Sequence, residues 1–231
     1  MDPFLRWNVP ADRVLARWDG PGAEGVLAQG WWGALTLTVL GAPATAAALV
    51  AETVTERRDV ERITLPRGTL PLLDAGVAAR VGDGADWDWL WTTDPPAAQP
   101  GEDQVTSLDD AAAVTALLDA ASPRPDVVPG TPGVRAWLGV RTADRLVACG
   151  ALTRRVAGAG HLASIATLPS SRGHGLGGAV TAALTRWSLT SGDLACTLGM
   201  YADNEPARRM YRRLGYRPGH EFSSRALKPQ T

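Results

Sequence analysis

Leu168-Pro169-Ser170-Ser171-Arg172-Gly173-His174-Gly175-Leu176-Gly177-Gly178-Ala179 lies between a strand-like run, His161 to Leu168, and a segment with Ala179, Ala182, Ala183 and Trp187 at helical spacing. It therefore reads as a strand-to-helix turn. Its four glycines let the backbone turn tightly and come close to a bulky ligand. The helix it opens, from about Gly175 to Thr190, points unpaired N–H groups and the positive end of its dipole outward, as a pyrophosphate requires.

Strands and helices continue on both sides of this turn. Ser107 is placed to cap a helix through Ala121. Val134 to Arg141, Arg145 to Arg155 and His161 to Leu168 read as strands, as does Cys196 to Met200 after the glycine-led helix. Glu205 to Leu214 reads as a helix, and Tyr216 to Leu227 as a strand-turn-strand. The order α-β-β-β-α-β-α-β is that of an α/β (α+β) chain.

Farther upstream, Trp31 to Leu40 reads as a strand, Ala44 to Arg58 as a helix and Glu61 to Leu65 as a strand, a βαβ-like unit. Between the halves, Asp94-Pro95-Pro96 and Pro100-Gly101 punctuate a stretch without hydrophobic period. This places an N-terminal lobe at residues 1–100 and a second domain at 101–231. Trp87, Trp89 and Trp91 alternate with Asp86, Asp88 and Leu90, so the indoles share one face of an extended segment. That face is either a core or lobe-interface stripe or the aromatic wall of a substrate pocket.

Composition narrows the function classes. A formal net charge of -1 without long single-sign runs lacks the footprint of a nucleic-acid binder. Of the 23 basic residues only Lys228 is a lysine, so an isolated arginine carries little functional weight. Cys149 and Cys196 fall in strand-like runs and read as reduced, buried thiols, and no metal-ligand spacing links them to the three histidines. Gly25 to Ala51 is uncharged, but Gly30, Gly33, Gly41 and Pro43 break it into a strand and then a helix rather than a membrane span. Met1-Asp2-Pro3-Phe4 lacks the basic start of a secretion signal, so a cytoplasmic protein is expected, monomeric or homodimeric.

A glycine-rich turn alone also fits dinucleotide folds. Here no acid follows a second strand at ribose distance, and no Gly-Lys-Ser/Thr ending marks a nucleotide loop. Arg172-Gly173-His174-Gly175-Leu176-Gly177 instead resembles motif A of the GNAT acetyltransferases, R/Q-x-x-G-x-G/A. Asn204-Glu205-Pro206-Ala207-Arg208-Arg209-Met210-Tyr211-Arg212-Arg213-Leu214-Gly215-Tyr216 is similar to that family's N-x-x-A-x-x-x-Y-x-x-x-G-F/Y segment at every fixed position. The resemblance covers roughly Val105 to Leu227. It implies the GNAT acyl-CoA N-acyltransferase fold, a mixed twisted sheet flanked by helices, and a catalytic acetyltransferase domain at 101–231, with acetyl-CoA (CoA) as cofactor and a primary amine of a small molecule or peptide as acceptor. No nucleic acid or membrane partner is implied.

By the same resemblance, Ile165, Ala166, Thr167 and Leu168 would pair with the pantetheine arm. Arg172, Gly173, His174, Gly175, Leu176, Gly177 and Gly178 would hold the pyrophosphate, with His174 a neighbour rather than a catalyst. Asn204 would help hold the arm, the strands flanking the motif A helix would splay, and Tyr211 would lie near the thioester sulfur as the acid that protonates it. Without the motif, Tyr211 reads as a core residue bonding a carbonyl.

Many family members carry a glutamate base on the strand before motif A. His161 to Leu168 has no acid. His161, at that strand's start, reads more simply as a solvated edge residue than as a base. Asp203, Asp193, Asp86 and Asp88 stay open as bases acting through water, as does a free amine needing none. The N-terminal lobe reads as a degenerate copy lacking a cradle, since Gly41-Ala42-Pro43-Ala44-Thr45 has neither the arginine nor the repeated glycines. Its expected work is to cover the substrate side. The alternative function is a non-catalytic acyl-CoA-binding sensor or interaction module.

Overall fold

The computed structural model describes residues 1–31, 33–122 and 124–229. The elements, in order, are α1 (Pro3–Asn8), β1 (Val14–Gly20), β2 (Ala23–Gln29), β3 (Leu35–Gly41), α2 (Pro43–Glu56), β4 (Arg62–Pro66), α3 (Ala75–Arg80) and β5 (Val81–Thr92). They continue with β6 (Thr106–Ser107), α4 (Ala111–Ala121), β7 (Val134–Thr142), β8 (Arg145–Val156), β9 (Ala159–Thr167), α5 (Leu176–Thr190), β10 (Ala195–Tyr201), α6 (Glu205–Arg213) and β11 (Arg217–Leu227). This is a mixed α/β fold whose sheet is flanked by helices. No helix among the described residues is long and apolar enough to cross a membrane.

The chain forms two compact units, and neither is a single stretch of sequence. The first holds Met1–Trp89, Met200–Asn204 and the stretch beginning at Pro218; the second holds Leu90–Gly199 and Glu205–Arg217.

In the first unit the strands lie in the order β1-β2-β3-β4-β11-β5. β1, β2 and β3 pair antiparallel, whereas β3 and β4 run parallel across the α2 crossover. Leu27, Leu37, Val39, Val50, Val54, Ile63 and Leu65 form its core beneath α2. β3 begins at Leu35, later than the expected Trp31, because Gly30 and Gly33 close a turn first. Trp32, inside that expected strand, lies outside the described residues. β11 is one strand rather than a strand-turn-strand. It pairs antiparallel with β4 from Phe222↔Pro66 to Ala226↔Arg62.

The tryptophan run divides by environment. Trp89 is fully buried, and Phe4 stacks edge-on to it at 5.4 Å while meeting Phe222 at 4.9 Å; Trp87 lies 5.1 Å from Phe222. These rings are a core stripe. Trp91 belongs to the second unit and carries the Arg217 guanidinium over its ring at 4.5 Å.

In the second unit the order is β10-β9-β8-β7-β6. β7, β8 and β9 pair antiparallel, and β9 and β10 run parallel across the α5 crossover. Both units thus repeat one pattern, three antiparallel strands followed by a helix and a parallel strand. The N-cap of α4 is Asp110, whose carboxylate accepts from the Ala113 N–H, and not Ser107. Ser107 is taken up in β6 opposite Leu138, so the chain is still extended there.

Candidate functional site

β9 and β10 pair only over their first halves: Ala195 faces Ala159, Cys196 faces Gly160, Thr197 faces His161 and Leu198 faces Leu162. β9 then runs on to Thr167 with no β10 partner, although β8 still pairs its other edge through Ala166 and Thr167. A strand with one open edge accepts an extended ligand as an added strand.

The strand bends where the opening begins. Between Ala163, opposite Ala151, and Ala166, opposite Cys149, two residues of β9, Ser164 and Ile165, face the single residue Gly150. Ser164 has φ of 50°, in the left-handed region that serine seldom enters. This is a bulge. A Cβ on Gly150 would run into Ile165 Cδ1, so a larger residue there would have to displace the Ile165 side chain.

The open edge leads into the glycine turn. Gly173 and Gly175 have φ of 82° and 79°, and no atom lies within 4 Å of where their Cβ atoms would stand. The backbone requires these glycines; packing does not. Gly175 caps α5 without a side-chain acceptor, and the first turn holds no acid, which leaves the first N–H groups of the helix for an anion. The Arg172 guanidinium reaches the carbonyls of Thr167 at 3.3 Å and Ala121 at 3.4 Å, and exposed His174 sets Nδ1 3.4 Å from the Ser171 carbonyl. A Cβ on Gly177 would stand 3.5 Å from Thr167 Oγ1 and 3.6 Å from Met210 Sδ, so the end of β9, the start of α5 and α6 converge.

Tyr211 is buried on α6, its ring 5.9 Å from that of Tyr216. The Tyr216 hydroxyl, three residues past α6, lies 2.7 Å from Thr185 Oγ1 on α5 and 3.3 Å from Cys196 Sγ on β10, tying the end of α6 to both elements. No hydrogen bond holds the Tyr211 hydroxyl among the described residues, yet it is not among the sealed, unpartnered polar atoms. Burial pushes its phenol up, so it keeps its proton at neutral pH. Asn204 precedes α6, is exposed and donates its backbone N–H to Tyr201 at 3.1 Å.

Most acids and bases named from the sequence have structural partners. His161 is not a solvated edge residue: it is 3% exposed, at the centre of the sheet, with Nδ1 2.9 Å from Thr197 Oγ1. Burial, then the Arg155 charge, lowers its pKa well below 6.5. Asp193 is buried against Arg135 at 2.5 Å and Ser188 at 2.7 Å. Asp88 pairs with Arg67, and Asp86 with Arg225 at 2.7 Å. Burial raises the Asp86 carboxyl, but hydrogen bonds from Arg225 and Ser223 outweigh it and hold it below the ordinary value. Asp203 is exposed.

Neither the bulge nor the Tyr216 network is apparent from the sequence. Gly150, a glycine inside a strand, is the signal that points to the bulge.

An open strand edge leads directly into an uncapped glycine turn, an arrangement with room for an extended ligand that ends in an anion. Residues 88–216 match the model of the acetyltransferase (GNAT) family, more than half of the chain, and the protein belongs to that family. Its fold is similar to that of a GNAT-family protein from Novosphingobium aromaticivorans, with 21% identity, TM-score 0.59 and coverage of 93% of this chain and 92% of the other. GCN5-related N-acetyltransferases from Kribbella flavida (19% identity, TM-score 0.57, 94% and 90% covered) and Sphaerobacter thermophilus (15%, 0.60, 91% and 78%) are similar to the same degree. At such identity the likeness is one of fold. No curated protein matches the chain.

Proposed function

We propose that the protein is an N-acetyltransferase that moves an acetyl group from acetyl-CoA to a primary amine of a small molecule or peptide by direct aminolysis. The observation that carries this reading is the open edge of β9 beyond Leu162 leading into the uncapped turn at Gly175. Acetyl-CoA supplies an activated thioester. In this reading Ile165 to Leu168 pair with its arm and Arg172 to Gly178 hold its pyrophosphate. Backbone N–H groups of β9 at the opening polarise the carbonyl, the larger share of such catalysis. Tyr211 gives its proton to the departing sulfur.

β9 offers no carboxylate, so the acceptor reacts as free amine and loses its proton to water. The same lack favours the second reading, a non-catalytic acyl-CoA sensor. A thiol-release assay with acetyl-CoA and a panel of primary amines separates the two. Turnover supports the enzyme; tight acetyl-CoA binding without thiol release on any amine supports the sensor. The reading places the protein in the cytoplasm, where acetyl-CoA is available and where Cys149 and Cys196, both free and buried, stay reduced.

The first unit is, in this reading, a copy of the same pattern without a cofactor site. Its strand-to-helix turn starts α2 with Pro43, which has no N–H to offer an anion. Gly41 is explained by strand packing, since a Cβ there would collide with the Gly22 carbonyl.

A further inference from the structure

Ser164 does more than occupy the bulge of β9. Its hydroxyl donates to the Val127 carbonyl at 2.7 Å and accepts from the Val127 N–H at 3.0 Å. One side chain thereby satisfies both backbone groups of one residue outside the sheet. Val127 lies between α4 and β7, is 1% exposed, and comes directly after Asp126, whose carboxylate pairs with Arg155 of β8. On the other side of the bulge, Ile165 fills the space above Gly150, beside Val180 and Leu184 of α5. The bulge is held from both sides.

The backbone beyond the bulge depends on this clamp. A bulge shifts which backbone groups of a strand point to which edge, and β9 has lost its β10 partner by this point. On the edge that β10 leaves open, the direction of the free N–H groups after Ser164 is therefore set by the bulge together with the pairing of Ala166 and Thr167 to β8 on the other edge. A left-handed serine persists only where its surroundings over-determine it, and Val127 supplies two hydrogen bonds that do so.

We propose that Ser164 is a positioning residue: its clamp on Val127 fixes the backbone N–H groups of the Ile165–Ala166 segment in the direction that polarises the thioester carbonyl. The proposal rests on the acyl-transfer reading above and assigns Ser164 no contact with the reacting atoms. Ser164→Ala removes both hydrogen bonds. Ser164→Gly removes them while relieving the positive φ, so it carries the test if the alanine variant does not fold.

Two readouts decide. Steady-state kinetics on the best amine should show kcat lower by about tenfold to a hundredfold, with KM for acetyl-CoA within about twofold. The infrared carbonyl band of acetyl-CoA, labelled with carbon-13 at the acetyl carbonyl, should move to lower wavenumber on the wild-type protein and back toward its free position on the variants. Unchanged kcat in folded variants overturns the proposal. So does a band that stays shifted in them, or one that never shifts on a wild-type protein that binds acetyl-CoA. A wild-type protein that does not bind acetyl-CoA overturns the acyl-transfer reading itself, and the proposal with it.

Discussion

Tyr211 and His161 are both buried, and burial drives their pKa values in opposite directions, up for the phenol and down for the imidazole. Tyr211 thus keeps its proton and has no hydrogen-bond partner among the described residues to take it. Tyr211→Phe should lower kcat roughly 10²-fold, leave the dissociation constant for CoA within about twofold, and barely move the melting temperature, because the removed hydroxyl holds nothing together. An equal loss of turnover and CoA affinity would place the hydroxyl on the cofactor instead. For lack of a carboxylate on β9, the pH profile of kcat/KM should follow the acceptor: with two amines of different basicity, the rising limb moves with the amine pKa. A limb fixed for both amines would reveal a base on the protein. His161 acts on stability. Its folded pKa lies below the unfolded 6.5, so as pH falls the unfolded chain takes the proton first, and stability complete above that value is lost below it. The melting temperature should drop between about pH 7 and pH 5, less steeply in His161→Gln; Asp2, Asp86 and Glu102, all lowered carboxyls, act only nearer pH 4. Residues 172–178 and 204–216 stand out in the sequence because each pattern is made of neighbours in the chain. His161 does not, since whether a strand lies at an edge or a centre depends on partners more than thirty residues away, Thr197 here.

At the scale of elements, α5 is built for its N-terminus rather than for stability. Gly177 stands in its first turn with room for a methyl group, the nearest atoms being Thr167 Oγ1 at 3.5 Å and Met210 Sδ at 3.6 Å, ordinary contacts. Gly177→Ala should therefore stabilise the free protein by up to about 1 kcal/mol through helix propensity, a rise of a few degrees in melting temperature. In the proposed reading Gly177 belongs to the turn that holds the pyrophosphate, so CoA should bind the variant more weakly by calorimetry. Tighter or unchanged CoA binding would remove this turn from the cofactor site. Elements were legible where one chemistry dominates, as in the glycine-led helix and the apolar strands β7 to β10. β1 escaped because Leu15, on its outward face, is 61% exposed and blurs the alternation that marks a strand. Pro218 and Gly219 suggest a turn, yet β11 runs through them, exposed at its first residues, where proline's missing N–H costs little.

At the scale of the whole molecule, the sequence offers a proline-rich break near Pro100, but the contacts trace β11 back to the first unit. β11 pairs with β4 and supplies Phe222, fully buried between Phe4 and Trp87. No local pattern announces such a return, because Tyr216 to Leu227 would pair equally well with any strand edge of suitable face. The energetic weight is large for a small unit: truncating one buried phenylalanine costs about 3–5 kcal/mol, a sizeable part of the ~5–15 kcal/mol that holds a domain together, and β4 would lose its ladder as well. A fragment of residues 1–100 expressed alone should therefore lack a cooperative melt and the near-ultraviolet circular dichroism of packed Trp87 and Trp89. Adding residues 217–229 through a flexible glycine-serine linker should restore both, because it returns the β4 partner and Phe222 without the glycine turn or Tyr211. A native-like melt from the shorter fragment would show that β1 to β5 close their own core and that β11 is an addition to it.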